Sequence, residues 1–200
     1  MNLSAAAGTS ALTQLFTALN GGSLTLYTGT PPADVAAALS GNTALGTVDF
    51  AAAALSGSIT TSGDSVVGTL AFTASSFTTS SAGTATFARA LNSATTPAAV
   101  IDLGVCSPWL ASTTIVVDQM ATNGGNLYIC TTAGTTASSG GPTGTGSAIT
   151  DGTVTWSYVQ AGNASIVLNN SAVTQNLTVT INSATMSLPI TNPVGSAPVT

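Results

Sequence analysis

Ser23-Leu24-Thr25-Leu26-Tyr27-Thr28 alternates apolar and polar side chains through six positions, apart from the aromatic body of the tyrosine. Successive side chains on a strand point to opposite faces, so Leu24 and Leu26 share one face while Ser23, Thr25 and Tyr27 share the other. A helix would instead repeat its apolar residues three and four apart. The hexapeptide therefore predicts a strand, and related patterns recur downstream. Strand candidates are 44–51 around Val48 and Phe50, 65–73 around Val66, Leu70 and Phe72, 82–91 around Phe87, and 98–106 around Ile101 and Val105. Further candidates are Ser165–Leu168, Leu177–Ile181 and Met186–Ile190. Gly, Ser, Thr and Pro clusters separate these runs, so the expectation is a mainly β chain forming an antiparallel β-sandwich.

The flanks of the hexapeptide read differently. Upstream, Leu12, Leu15, Phe16 and Leu19 fall at helical spacing within 9–20, with Ser10 placed to cap the start and Asn20-Gly21-Gly22 to stop it. A short N-terminal helix is expected there. Downstream, Thr30-Pro31-Pro32-Ala33-Asp34 offers a cap, a proline at the first helical position and an acid in the first turn. One or two helical turns through Val35–Leu39 are expected, closed by Gly41.

Charge is nearly absent. The 200 residues contain one Arg (Arg89), no Lys, no Glu and no His, and charged side chains make up 4 % of the chain. An ordinary soluble surface is roughly 25–35 % charged. Without imidazole, lysine or Glu the chain lacks most groups used for proton transfer and covalent catalysis, so no catalytic residue is expected and the chain reads as a non-enzyme. A single Arg cannot neutralise a phosphate backbone or hold an anionic bilayer, and no apolar run is long enough to span one, so neither nucleic acid nor membrane is an expected partner. Asp118 and Asp151 lack the clustering of a calcium loop, and no metal or cofactor is expected. Cys106 and Cys130 match no zinc spacing; they read as small buried side chains, with a disulfide as the alternative. Arg89, inside a strand candidate, reads as an edge or solvent-facing residue paired to an Asp.

Composition shifts at residue 107. Both tryptophans (Trp109 and Trp156), Tyr128, Tyr158 and a low-complexity tract over 131–150 lie in the stretch 107–161, after which the plain β pattern returns. The reading is a discontinuous β-sandwich over 1–106 and 162–190 with a small β module inserted at 107–161. Val105 and Ile166 would then lie on strands joined directly in the parent fold. Residues 191–200, with two prolines, read as an extended C-terminal arm.

Leu24-Thr25-Leu26-Tyr27-Thr28-Gly29-Thr30-Pro31-Pro32-Ala33-Asp34, followed by Ala36-Ala37-Ala38-Leu39-Ser40-Gly41-Asn42-Thr43-Ala44-Leu45-Gly46, resembles a family of small tailed-bacteriophage virion proteins. Members open on a short helix and a strand of the form L-x-I/L-Y-x-G-x-x-P-A, then A-A-L-x-G-N-T-x-L-A. Gly83-Thr84-Ala85-Thr86-Phe87-Ala88-Arg89 resembles the family's G-T-A-x-W/F-x-R. The similarity covers 9–106 and 162–190. It implies a β-sandwich on the surface of a virion assembled in the host cytoplasm: a capsid decoration or head-fibre subunit docked on the major capsid protein. A neck, collar or tail-associated subunit is the alternative. Symmetric lattices favour a homo-oligomer.

Residues 107–161 resemble a second module, the small chitin-binding-type carbohydrate module of phage tail and fibre proteins. The similarity rests on Ser107-Pro108-Trp109, Asp118, Asn126-Leu127-Tyr128-Ile129-Cys130, Gly141-Pro142 and Asp151-Gly152-Thr153-Val154-Thr155-Trp156. It departs at Ile115, where an aromatic is usual, and at Val117, where Gly is usual. The resemblance implies a glycan-binding adhesion role against cell-surface sugars, with Trp109, Tyr128 and Trp156 as stacking residues. A domain this small also needs large apolar groups to offset chain entropy, so from the residues themselves the three aromatics read as its hydrophobic core ahead of a sugar-stacking platform.

Overall fold

A computed structural model describes residues 3–94 and 98–190; the arm expected over 191–200 lies outside the described residues. Helix α1 spans Ala5–Leu19, and its cap lies six residues before the expected one. Ser4 is the N-cap and its hydroxyl accepts from the Ala7 amide at 3.2 Å, whereas Ser10 donates its hydroxyl to the Ala6 carbonyl inside the helix. The reason is local: Ala5-Ala6-Ala7 has high helix propensity and extends the helix back to the next good cap. Leu12, Phe16 and Leu19 are buried on one face.

Strands β1 (Ser23–Tyr27), β2 (Ala44–Ser62), β3 (Ser65–Phe72), β4 (Ser76–Thr78), β5 (Gly83–Thr84), β6 (Phe87–Leu91) and β7 (Ala99–Pro108) follow in the first part of the chain. The second part adds β8 (Thr114–Ile115), β9 (Met120–Asn123), β10 (Asn126–Thr132), β11 (Gly134–Thr135), β12 (Ile149–Asp151) and β13 (Val154–Ala161). The chain returns through β14 (Ile166–Leu168), β15 (Ala172–Val173) and β16 (Thr178–Pro189). The chain is mainly β, with one helix among the described residues.

Hydrogen bonding runs β7-β14-β16-β3-β2-β1-β6, and β6 then pairs with β7. The seven strands thus close on themselves as a barrel, where the sequence reading expected a sandwich of two sheets. Closure removes edges that a sandwich would leave open. The interior is filled by Leu24, Leu26, Leu45, Phe50, Val66, Leu70, Leu103, Val105, Ile166 and Leu168, and the buried face of α1 joins this same cluster. Small side chains let helix and barrel approach closely: a Cβ on Gly68 would stand 2.5 Å from Cε2 of Phe16.

Two local expectations change. The segment after Pro32 makes one turn instead of a helix: Asp34 accepts the Ala36 amide on its carboxylate and the Ala37 amide on its carbonyl. That local turn competes with helix formation. Arg89 faces outward between core-facing Ala88 and Ala90, yet it is only 6 % exposed and its strand has neighbours on both sides. Its partner is Asp102, directly opposite on β7. Nε and Nη2 donate to the two carboxylate oxygens at 2.8 Å each, and Nη1 donates to the Ala37 carbonyl at 3.3 Å. The Asp34 turn therefore roofs the ion pair, and hydrogen bonding to Asp102 pushes the Arg89 pKa further up.

β7 and β14 pair in parallel, Val105 opposite Ile166 and Cys106 opposite Val167. The strands are neighbours, but they run the same way and no hairpin joins them. Residues 107–165 form the crossover that parallel neighbours require. β7 also runs on past β6 to pair with β9, in parallel, through Cys106–Pro108. The sheet β9-β10-β13-β12 is in this way a continuation of the barrel wall.

Candidate functional site

Between β7 and β14 the chain builds a second hydrophobic cluster from Ile115, Ala121, Tyr128, Cys130, Val154 and Trp156, with Trp109, Ile149 and Tyr158 packed against it. The strand pattern explains who lies inside: on β13, Val154 and Trp156 alternate inward with Thr155 and Ser157 turned away. Gly152 holds φ +63° in the two-residue loop that joins β12 to β13, where glycine has no steric cost. A side chain there would also meet the backbone at Thr135–Ala137.

The centre of this cluster is a carboxylate. Asp151 is buried, and its Oδ2 accepts from both indoles: Trp109 Nε1 at 2.7 Å and Trp156 Nε1 at 3.0 Å. Its Oδ1 accepts from the Ala137 amide at 2.9 Å. Indole N–H groups only donate, and buried donors need an acceptor. One acid thus satisfies two tryptophans 47 positions apart in the chain and pins the otherwise irregular segment at Ala137. Tyr128 sits edge-on to Tyr158 with ring centroids 6.1 Å apart, and its hydroxyl donates to the Gly144 carbonyl while accepting from Nδ2 of the Asn126 side chain.

These contacts place the three aromatics proposed from sequence. Tyr128 and Trp156 are fully buried, and neither ring has a face open for a sugar to stack on. Trp109 is half-buried. The structure brings Trp109 and Trp156 together through Asp151; Tyr128 and Trp156 lie inside the cluster and Trp109 packs against it.

A different feature was not singled out by sequence reading. Where the barrel meets the crossover segment lies a mostly apolar cleft of about 220 Å³. Pro31 after β1, Phe87 on β6, Leu103 on β7, and Met120 and Ile129 from the crossover line it, together with Asp102 and Asp118. Asp102 is occupied by Arg89. Asp118 has φ +67°, its amide donates to the Cys130 carbonyl at 3.0 Å, and its Oδ2 accepts the Thr30 hydroxyl at 2.7 Å. The signals available in sequence were an acid without a nearby basic partner and a rigid Thr-Pro-Pro, but nothing local ties residue 30 to residue 118.

Beside the cleft, barrel and crossover are fastened by a buried polar group. Ser107 and Ser171 hydroxyls lie 3.0 Å apart, Gln119 Nε2 donates to Ser171 Oγ at 3.1 Å, and Gln119 Oε1 accepts the Val116 amide. Cys106, Leu127, Ala164 and Val167 form the apolar part of the same seam. Cys106 and Cys130 are both free and buried, and burial pushes both thiols above their ordinary pKa. Thiols so placed are poor nucleophiles. Among the described residues no three His, Cys, Asp or Glu side chains stand together as a metal site, and no helix is long and apolar enough to cross a membrane.

Comparison with family models, curated proteins and solved structures gives no significant match to this chain.

Proposed function

We propose that this chain is a non-enzymatic structural subunit of a bacteriophage virion, a capsid decoration or head-fibre protein docked on the major capsid lattice. The observation that carries the reading is the fate of the sole basic side chain. Arg89 is buried against Asp102, so the surface presents no side-chain cation at all. What remains outside is mostly Ser, Thr, Ala, Gly and Asn with a few Asp. Such a surface does not attract polyanions, including packaged DNA. It also has little self-repulsion to keep free copies apart, a liability that ends once each copy is held on a lattice. Absence of His, Lys and Glu, together with two protonated buried thiols, supports a role without catalysis.

In this reading the closed barrel is the docking body, and the segment 107–161 is a module displayed from it. The enclosed Tyr128 and Trp156 favour a structural module over a sugar platform. The test is the protein composition of purified particles from the genome encoding this chain, with averaged density of the particle surface. Hundreds of copies per particle on the head support the reading; about a dozen copies at the neck or tail move the address; absence from particles overturns it.

A further inference from the structure

We propose that the cleft between barrel and crossover receives a lysine side chain from a different protein, with Asp118 as the counter-charge. At about 220 Å³ the cleft is smaller than the roughly 300–1,000 Å³ of sites that enclose small-molecule ligands, and it suits a single long side chain. Its walls are apolar at Pro31, Phe87, Leu103, Met120 and Ile129, as a hydrocarbon stem requires, and a carboxylate stands ready for a charged tip.

Two acids line the cleft; Asp102 is already neutralised by Arg89, and of the two only Asp118 has an oxygen to which none of the described residues donates. Both oxygens of Asp102 are engaged by Arg89. Asp118 spends Oδ2 on Thr30, and among the described residues nothing donates to its Oδ1. A guanidinium paired side-on would have to share Oδ2 with the Thr30 hydroxyl, whereas an ammonium is a point charge that the undonated Oδ1 serves alone. Lysine is therefore the better fit than arginine. Asp118 is also held in advance: its backbone is in the left-handed region, tied to Cys130, and its side chain is tied to Thr30.

The source of the lysine follows from composition. This chain has no lysine, and its only arginine is buried, so a second copy cannot supply the side chain. The partner is a different protein. The inference adds contact chemistry to the virion reading, but its experiment uses the isolated chain, so the failure of one is distinguishable from the failure of the other.

The experiment is amide NMR on the full chain, titrated with Nα-acetyl-lysine N-methylamide and with the norleucine analogue, which has the same stem and no charge. The lysine probe is expected to shift the amides of Thr30, Gly104, Asp118 and Ile129 saturably, and to bind about fivefold more tightly than norleucine. Asp118→Asn keeps an acceptor for Thr30 and tolerates the left-handed backbone, and it is expected to bring the lysine probe down to the norleucine level. Should that variant perturb the fold, molar NaCl on the unaltered chain asks the same question, because salt screens the ammonium contact and leaves the stem contact alone. No localised shifts, equal affinities for the two probes, or a lysine preference that survives both Asp118→Asn and molar salt would overturn the proposal.

Discussion

Asp151 shows how much one side chain can carry in a chain with few charges. Its two oxygens serve three donors, the Trp109 and Trp156 indoles and the Ala137 amide. Asp151→Ala leaves all three without an acceptor at a cost of about 1–3 kcal/mol each. Asp151→Asn is expected to be little better, because the amide has one acceptor oxygen and must turn an N–H₂ group towards at least one donor. Both variants should shift tryptophan fluorescence towards the red and lower the denaturation midpoint; a wild-type melt for the Asn variant would show that the carboxylate is not the acceptor described. The thiols make a pH prediction. Burial raises the pKa of Cys106 and Cys130 in the folded chain, so the folded state keeps its protons where the unfolded chain has lost them. Their contribution is fully present below the unfolded thiol value near 9 and is lost as pH rises beyond it through the folded values. Denaturation midpoints should fall above pH 9, and less so in a Cys106→Ala, Cys130→Ala variant. An unchanged slope in that variant would contradict the assignment.

Elements were legible where the pattern was strong. Leu12, Phe16 and Leu19 announced the helix face, and Leu24 and Leu26 announced the first strand, because apolar side chains recur at the period of the element. The second half of β2, from Ala52 to Ser62, was not legible. Apart from Leu55 and Ile59 it is Ala, Ser, Thr and Gly, with bulges in its pairing to β3, so neither apolar alternation nor regular register marks it. Met186–Ile190 and Leu177–Ile181 read as two strands but form one, since β16 changes partner from β4 to β3 midway. The docking of α1 gives a test at this scale. Gly68 on β3 leaves room for the Phe16 ring, which is 2 % exposed, and a Cβ there would also press on Leu55 Cδ1 at 3.1 Å. Gly68→Ala should destabilise by about 1–3 kcal/mol through overpacking. Adding Phe16→Leu should cost less in that background than in the parent, a coupling readable in a double-mutant cycle by urea denaturation. Simple additivity would mean that the helix does not pack as described.

At the scale of the molecule, the folded barrel hides its only trypsin site. The bond after Arg89 lies in a strand paired on both sides, so native protein should stay intact in trypsin and be cut at the rate of global unfolding. Rapid cleavage into two fragments in native buffer would place Arg89 elsewhere.

The relation of the crossover to the barrel was the part least accessible to sequence, because the direction in which Val105 and Ile166 pair depends on contacts made across 61 positions. A module hung on a hairpin could be replaced by a few residues. Parallel neighbours cannot be joined that way, since the chain must travel back along the strand before it can run forward again. Two further losses accompany removal of 107–161. Leu127 and Met120 no longer cover Cys106, Ala164 and Val167, and Ser171 loses both Ser107 and Gln119. A linker of about four residues in place of 107–161 should therefore prevent barrel closure, while one of about a dozen should permit it with reduced stability. Circular dichroism and the cooperativity of urea denaturation separate the cases. If the four-residue variant unfolds as cooperatively as the parent, β7 and β14 are not parallel partners. If the longer variant is also unfolded, the crossover segment is part of the barrel's own core and 107–161 is no separable module.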